Sequence, residues 1–352
     1  MKINQKAQSL KIWALTDYRA GTTNQVLGVA ENIAREDEHF EVIEKKLLYN
    51  RLGKLPNGLQ QFVGLASLHK VSAAHLSAPY PDIVISAGRR AAVIARYIQE
   101  RNKAVKLVHI MSPELPFKFF DMIIMPQHDF PPNAKNIVTT LGAPHRLNND
   151  ILSQAANQNP LGHFSLPKPW TMLCLGGNTS FGRFMLNDNL ALAEQLAPLA
   201  SEGGSLLITS SRRTPAAIMQ MAIESIQTKY PNITIKSYSP DGSSDYNPYH
   251  SWVAQAERFV ITADSVSMIS EAAFTTKPIY IFTPNESAGK KHLHFVQAMI
   301  AAGHVKHLRD YDANWQRLVN LNEAKRLSYK IRELFDNQGG LGVQYQLEKG
   351  SV

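Results

Sequence analysis

The sequence predicts an α/β protein of two facing Rossmann-like domains, each built on a parallel sheet. Three observations predict it. Short β-branched and aliphatic runs alternate with helical stretches, the pattern of βαβ units. The pattern restarts after a polar stretch near the middle of the chain. The length of 352 residues suits two domains of roughly 100–200 residues each.

In the first half, strands are expected at residues 10–16, 40–47, 82–86, 106–111, 122–125 and 136–140. Helical stretches fall at 30–36 and 91–99. Continuous apolar runs such as Ile83-Val84-Ile85 suit strands buried on both faces. Residues 145–169 are rich in Asn, Gln and Pro and read as a linker with one short helix. The second series has strands at 170–175, 205–209, 233–237, 259–262 and 278–282. Helices fit between them at 188–199, 216–228 and 266–274, and a C-terminal helix at 323–335. The expected domains are 1–160 and 161–335, followed by a loosely held tail, 336–352.

Composition narrows the function. Apolar residues make up 44% and charged residues 19%, as in ordinary globular proteins. No apolar run approaches the ~20 residues of a membrane-spanning helix, and no secretory signal is legible. Cys174 stands alone, which excludes internal disulfides and suits a cytoplasmic location, with peripheral attachment to the inner membrane face left open. A net charge of +8 points to an anionic partner. The basic residues come as scattered pairs and no nucleic-acid motif is present, so a phosphorylated small molecule or an acidic membrane ranks above DNA or RNA. No cofactor is called for.

Ligands of open parallel sheets gather beyond the carboxyl ends of strands. There the strand at 170–175 runs into Gly176-Gly177-Asn178-Thr179-Ser180. Glycines let the backbone approach a ligand, and free N–H groups hold phosphate oxygens. The next strand ends in Ser211-Arg212-Arg213-Thr214-Pro215. There two guanidiniums meet a helix start, although a hydroxyl cap with solvated arginines reads equally well. Ile85–Ala92, with Arg89-Arg90, has the same shape in the first half. The segment Phe259–Pro284 places Asp264 and Ser265 in a turn, where they can cap a helix bearing Ser267, Ser270 and Glu271. Glu271 lies six residues past Ser265, beyond the reach of a capping box. It therefore reads as a ribose-binding carboxylate.

Other candidates are weaker. Asp17 at the end of the first strand and His128 beside Asp129 offer acid/base groups, each with a turn-holding alternative. Asp310-Tyr311-Asp312 lacks a suitable strand context for metal. His292 and His294 have no further ligands in sequence, so no metal is expected. Lys290 and Lys291 suit a diphosphate. Residues 116–120 form an apolar patch that either meets lipid or packs in a loop.

Two resemblances follow from these residues. Phe259–Pro284 resembles the C-terminal nucleotide-binding signature of glycosyltransferase-B enzymes, such as the transferase that adds N-acetylglucosamine to lipid-linked peptidoglycan precursor. That resemblance implies Glu271 on the ribose and Asp264, Ser265 and Ser267 near the phosphates. Over nearly the whole chain the sequence is similar to the family named for the plant mitochondrial-fission (elongated mitochondria) factor. The matching segments are 17–25 (DYRAGTTNQ, with Gly21 and Gln25), 86–90, 126–129, 142–143, 210–214 and 262–271. This resemblance implies a glycosyltransferase-B-like fold. Bacterial members tend to carry a His in the first loop, where this chain has Thr22. The family is often labelled as epimerases, but the chain lacks GxxGxxG and Tyr-x-x-x-Lys.

The expected function is a metal-independent, glycosyltransferase-like protein that holds a UDP-type sugar between its domains and serves an envelope or lipid-linked acceptor. The diphosphate would rest on the N–H groups of 176–180 and on Arg212, Arg213 and Lys291. The alternatives are a non-catalytic scaffold that recruits a membrane or protein partner, and a hydrolysing or epimerising sugar-nucleotide enzyme.

Overall fold

The computed structural model describes residues 9–159, 161, 165–177, 186–240, 246–284 and 289–336. They divide into two compact units. One gathers the described residues within Met1–Met125, Pro132–Val138 and Glu323–Val352, the other those within Pro126–Pro131 and Thr139–Asn322.

The first unit alternates strands and helices: β1 (Leu10–Thr16), α1 (Ala20–Glu36), β2 (Phe40–Lys46), then the short α2 (Asn57–Val63) and α3 (Lys70–Ala74). It continues with β3 (Ile83–Ala87), α4 (Gly88–Arg101), β4 (Lys106–Ile110), β5 (Met122–Pro126) and β6 (Ile137–Thr140). The sheet order is β2-β1-β3-β4-β5-β6. The strands from β2 through β5 pair in parallel. Along β3 the side chains alternate sides, as a strand requires. Ile83 and Ile85 enter one core cluster and Val84 the other, so helices cover both faces.

The second unit runs α5 (Asn149–Gln158), β7 (Trp170–Leu175), α6 (Leu186–Gln195), α7 (Ala197–Ser201), β8 (Ser205–Ser210), α8 (Ala216–Lys229) and β9 (Thr234–Tyr238). Then come α9 (Tyr249–Gln255), β10 (Arg258–Thr262), α10 (Val266–Ala273), β11 (Ile279–Phe282), α11 (Lys290–Ala301) and β12 (Lys306–His307). Its sheet is also parallel, in the order β12-β11-β10-β7-β8-β9.

The last helix, α12 (Glu323–Asp336), departs from the expected domain plan. Its stripe of Leu327 and Ile331 is buried with Val29 and Ile33 of α1, so it belongs to the first unit and not to a domain ending at 335. The division after Val138 also corrects the boundary expected at 160. Ile151 and Leu152 of α5 pack onto the core of the second unit, which draws the polar stretch into that unit. Residues 337–352, the expected tail, lie outside the described residues.

Two buried histidines set an acid limit. His109 bonds Ser86 through Nδ1 at 2.8 Å, and burial lowers its pKa to about 3. Burial likewise lowers that of His145 to about 4. Both are therefore neutral in the fold and take up protons on unfolding below the ordinary histidine value of 6.5. Stability is full above that pH and is lost as pH falls toward the folded pKa values. By pH 4.5 each should cost roughly 2–3 kcal/mol. Thermal melts between pH 7 and 4.5 should show a falling Tm, and His109→Gln should flatten the fall; an unchanged slope would contradict this origin.

Candidate anion-binding site

In the second sheet the chain winds outward in both directions from the β7–β10 junction, with β8 and β9 on one side and β11 and β12 on the other. Such a switch point opens a crevice at the carboxyl ends of the two strands. Gly176-Gly177 ends β7 there, and Ala263-Asp264-Ser265 ends β10.

These two ends are tied together. The Gly176 N–H donates to Thr262 Oγ1 at 2.7 Å and the Gly177 N–H to Asp264 Oδ2 at 2.9 Å. The Thr262 hydroxyl donates to Asp264 Oδ1 at 2.7 Å. Asp264 is only 2% exposed. Burial raises its pKa, against the hydrogen bonds of Thr262 and Gly177 and the charge of Arg213. A Cβ on Gly176 would lie 2.0 Å from Asp264 Oδ2, and one on Gly177 2.4 Å from the Arg213 carbonyl carbon. The glycines therefore serve close approach. Their N–H groups, expected to hold phosphate, are consumed inside the protein. Asn178, Thr179 and Ser180 lie outside the described residues.

The loop after β8 is stapled to the same strand end. Ser211 N–H donates to the Leu175 carbonyl at 2.9 Å, and the Thr214 hydroxyl to that of Gly176 at 2.6 Å. The Ser211 hydroxyl pairs with that of Thr214 at 2.9 Å and accepts from the Arg213 N–H at 3.2 Å. Ser211 thus shapes the turn, a different role from the expected ligand contact. Arg212 and Arg213 stay exposed beside the start of α8.

Two more helices begin at this edge. Ser265 stands at the N-cap position of α10 without a side-chain cap bond, and Asp264 does not cap it either, because its oxygens face β7. Ser267 is exposed in the first turn. α11 begins after Gly289 with Lys290, Lys291 and His292. α11 follows β11, so it starts on the same carboxyl edge; burial lowers the His292 pKa, with the Asp264 charge raising it and that of Arg213 lowering it. Lys291 pairs with Asp129 at 2.7 Å. His128, in the turn Gln127–Asp129, stacks edge-on against Phe295 at 5.1 Å. Its Nδ1 has no hydrogen-bond partner among the described residues. Burial first, then nearby Lys291, His292 and His294, lowers its pKa against the charge of Asp129. Among the described residues no three His, Cys, Asp or Glu side chains gather as a metal set.

Glu271 lies farther along α10 and is 9% exposed. The Tyr249 hydroxyl donates to its Oε2 at 2.7 Å. Burial, followed by the Glu271 charge, holds the phenol well above its usual range. The buried carboxylate fits the expectation that it does not face solvent as a cap. Tyr249 was not legible as its partner, because no spacing links the two. His292 carried no helix-start signal either, because a glycine followed by two lysines reads more like a helix end.

In the first unit the sequence candidates mostly hold structure. Asp17 Oδ1 accepts from the Arg19 N–H at 2.9 Å and the Thr22 hydroxyl at 3.1 Å, while Oδ2 pairs with Arg90 at 3.1 Å. A carboxylate with two donors and a guanidinium on it is a turn lock, which removes the case for a general base. Arg89 reaches the Leu55 carbonyl at 3.0 Å and ties a loop instead of a ligand. Gly21 is exposed with open space where a Cβ would stand, and Gln25 is half-buried in α1. Phe117, Phe119 and Phe120 pack against the core, so the 116–120 patch is loop packing and not a lipid contact.

A family model for mitochondrial fission ELM1 matches residues 20–335. The chain belongs to this family. The uncharacterized protein RP120 of Rickettsia prowazekii (strain Madrid E) is 30% identical over 361 residues, covering 92% of this chain and 98% of that protein. Mitochondrial fission protein ELM1 of Arabidopsis thaliana is 30% identical over 224 residues, 57% of this chain. That match spans 51% of the plant protein's length. Among solved structures, the UDP-GlcNAc 2-epimerase of Methanocaldococcus jannaschii is similar with a TM-score of 0.51 at 14% identity. It covers 92% of this chain and 100% of that chain. This likeness is one of fold. The ELM1-family chain is a glycosyltransferase-B-like α/β protein with two parallel Rossmann-like sheets. No helix among its described residues is long and apolar enough to cross a membrane.

The strand-end tie predicts a large effect from a small change. Gly177→Ala pushes a methyl into the backbone of Arg213, so unfolding in urea should show a loss of about 2 kcal/mol or more. A stability within ~0.5 kcal/mol of wild type would contradict the packing described.

Proposed function

We propose that the carboxyl edge of the second sheet binds the diphosphate of a nucleoside-diphosphate sugar, of UDP type. One observation supports this most. α8, α10 and α11 follow the parallel strands β8, β10 and β11 that flank the β7–β10 switch point, so their starts, with Arg213 and His292, lie on one carboxyl edge. Helix starts present unbonded N–H groups and the positive end of the dipole, and an arginine fork matches phosphate oxygens. Asp264 does not spoil the site for an anion, because its two oxygens are turned into the Gly177 amide and Thr262.

In this reading Arg212 and Arg213 neutralise the phosphates, Lys291 joins them by exchanging its Asp129 partner for a phosphate oxygen, and the first turn of α10, with Ser265 and Ser267, supplies amides. Glu271 accepts from the ribose hydroxyls, with Tyr249 fixing its orientation. His128, neutral by burial, takes over the acid/base role from the locked Asp17. The activity proposed is sugar transfer to a lipid-linked or envelope acceptor, in which cations and helix ends stabilise the leaving diphosphate. A fold-level match to an enzyme of UDP-GlcNAc is consistent with this but does not name the sugar. A second reading, a non-catalytic scaffold, draws on Thr22 and on the locking of Asp17 by Arg90.

Calorimetry with UDP, GDP and ADP tests the reading. UDP should bind, and Arg213→Ala should weaken it roughly tenfold to a hundredfold, the worth of about 1.5–3 kcal/mol for a charged hydrogen bond. Glu271→Gln should weaken UDP and leave inorganic pyrophosphate unaffected. Absence of binding by all three nucleotides would overturn the proposal. Binding without turnover of any sugar nucleotide would favour the scaffold.

A further inference from the structure

We propose that the first unit presents a docking face for an anionic lipid bilayer, formed by residues 48–71. Leu68 of this segment enters the core, with Tyr49 and Leu65 packed beside it, but polar side chains are turned inward too: Asn57, Gln60, Ser67 and the adjoining Ser72 are all buried. Asn57 donates to the Arg89 and Pro113 carbonyls, Ser67 to the Gly64 carbonyl and Ser72 to the Lys46 carbonyl. Gln60 is fully buried, and its amide has no partner among the described residues.

Five large apolar side chains point outward. Leu48, Leu52, Leu59, Phe62 and Val71 are exposed, Phe62 at 81%. Leu48 lies in the loop after β2, and the others sit on the 3-10 turn Arg51–Lys54, on α2 and on α3, elements that pack together through the turn Gly64–Ser67. A water-soluble surface scatters such residues singly, and a cluster marks an interaction site.

Charge identifies the partner. Lys46, Arg51, Lys54 and Lys70 are exposed on the same stretch. No Asp or Glu occurs between Glu44 and Asp82. Glu100, which lines a pocket with Phe62, is paired with Arg96 at 3.4 Å, so insertable apolar tips flanked by cations provide the two signals that stable bilayer attachment requires. A second copy of this chain would set cation against cation, so self-association is disfavoured on this face. The bilayer proposal is independent of the nucleotide reading.

Co-sedimentation of the full chain with vesicles tests it. The protein should sediment with phosphatidylcholine vesicles containing phosphatidylserine, weakly with phosphatidylcholine alone, and less as salt rises. The pairs Leu59→Ser with Phe62→Ser, and Arg51→Glu with Lys54→Glu, should each lower the bound fraction about tenfold. Their melting curves should match wild type, because all four side chains are exposed. Leu318→Ser, on the exposed apolar Leu318 of the second unit, should change nothing. No sedimentation with either vesicle, indifference to both pairs, or loss through Leu318→Ser alone would overturn the proposal. Failure with vesicles but saturable binding to an acidic protein would likewise overturn it in favour of a protein partner.

Discussion

The buried carboxylate of Asp264 joins the two halves of the second sheet's switch point. β7 and β10 are neighbours in the sheet but come from segments 87 residues apart in the chain. The Gly177 amide and the Thr262 hydroxyl meet on this one side chain. Removing it would leave a buried donor unsatisfied at a cost of about 1–3 kcal/mol. It would also free the strand end against which the Ser211–Thr214 turn is bonded. The positions of Arg213, and with it the cationic character of the crevice, thus follow from a negative group kept out of the ligand's way.

The two units treat equivalent points differently. The first sheet reverses between β1 and β3, and a ligand of that sheet would lie over the loops that follow them. There Asp17 and Arg90 pair, and the Arg90 guanidinium stacks on Tyr49 at 4.4 Å. Charges that neutralise each other leave little field for a ligand. In the second unit the cations at the switch point stand beside a carboxylate already occupied by an amide and a hydroxyl. Sequence similarity between the Gly-Arg-Arg and Ser-Arg-Arg turns therefore conceals opposite outcomes.

Strands were legible because Ile83-Val84-Ile85 is apolar throughout and Trp170–Leu175 nearly so, Thr171 excepted, and parallel strands covered on both faces bury such runs. Residues Arg212, Arg213, Asp264 and Glu271 were legible as strand-end and helix-start chemistry. The direction of the Gly176 and Gly177 hydrogen bonds was not, because their partners come from β10 and the turn that follows it. The short α2 and α3 escaped notice because their buried positions are Asn57, Gln60 and Ser72, so hydrophobic periodicity points the wrong way. α12 showed its stripe clearly, but a stripe does not say which core receives it. α11 was hidden behind Lys290, Lys291 and the histidines, read for their chemistry while Phe295, Val296 and Met299 recorded the helix.

A crystal structure of the chain grown with UDP would decide whether three helix starts converge on one diphosphate while the strand-end amides stay turned inward. The diphosphate is expected at the first turns of α8, α10 and α11, within hydrogen-bonding reach of Arg213, with the Gly177 amide still on Asp264. Nucleotide density elsewhere on the protein, or a Gly177 amide swung onto the phosphate, would contradict this arrangement.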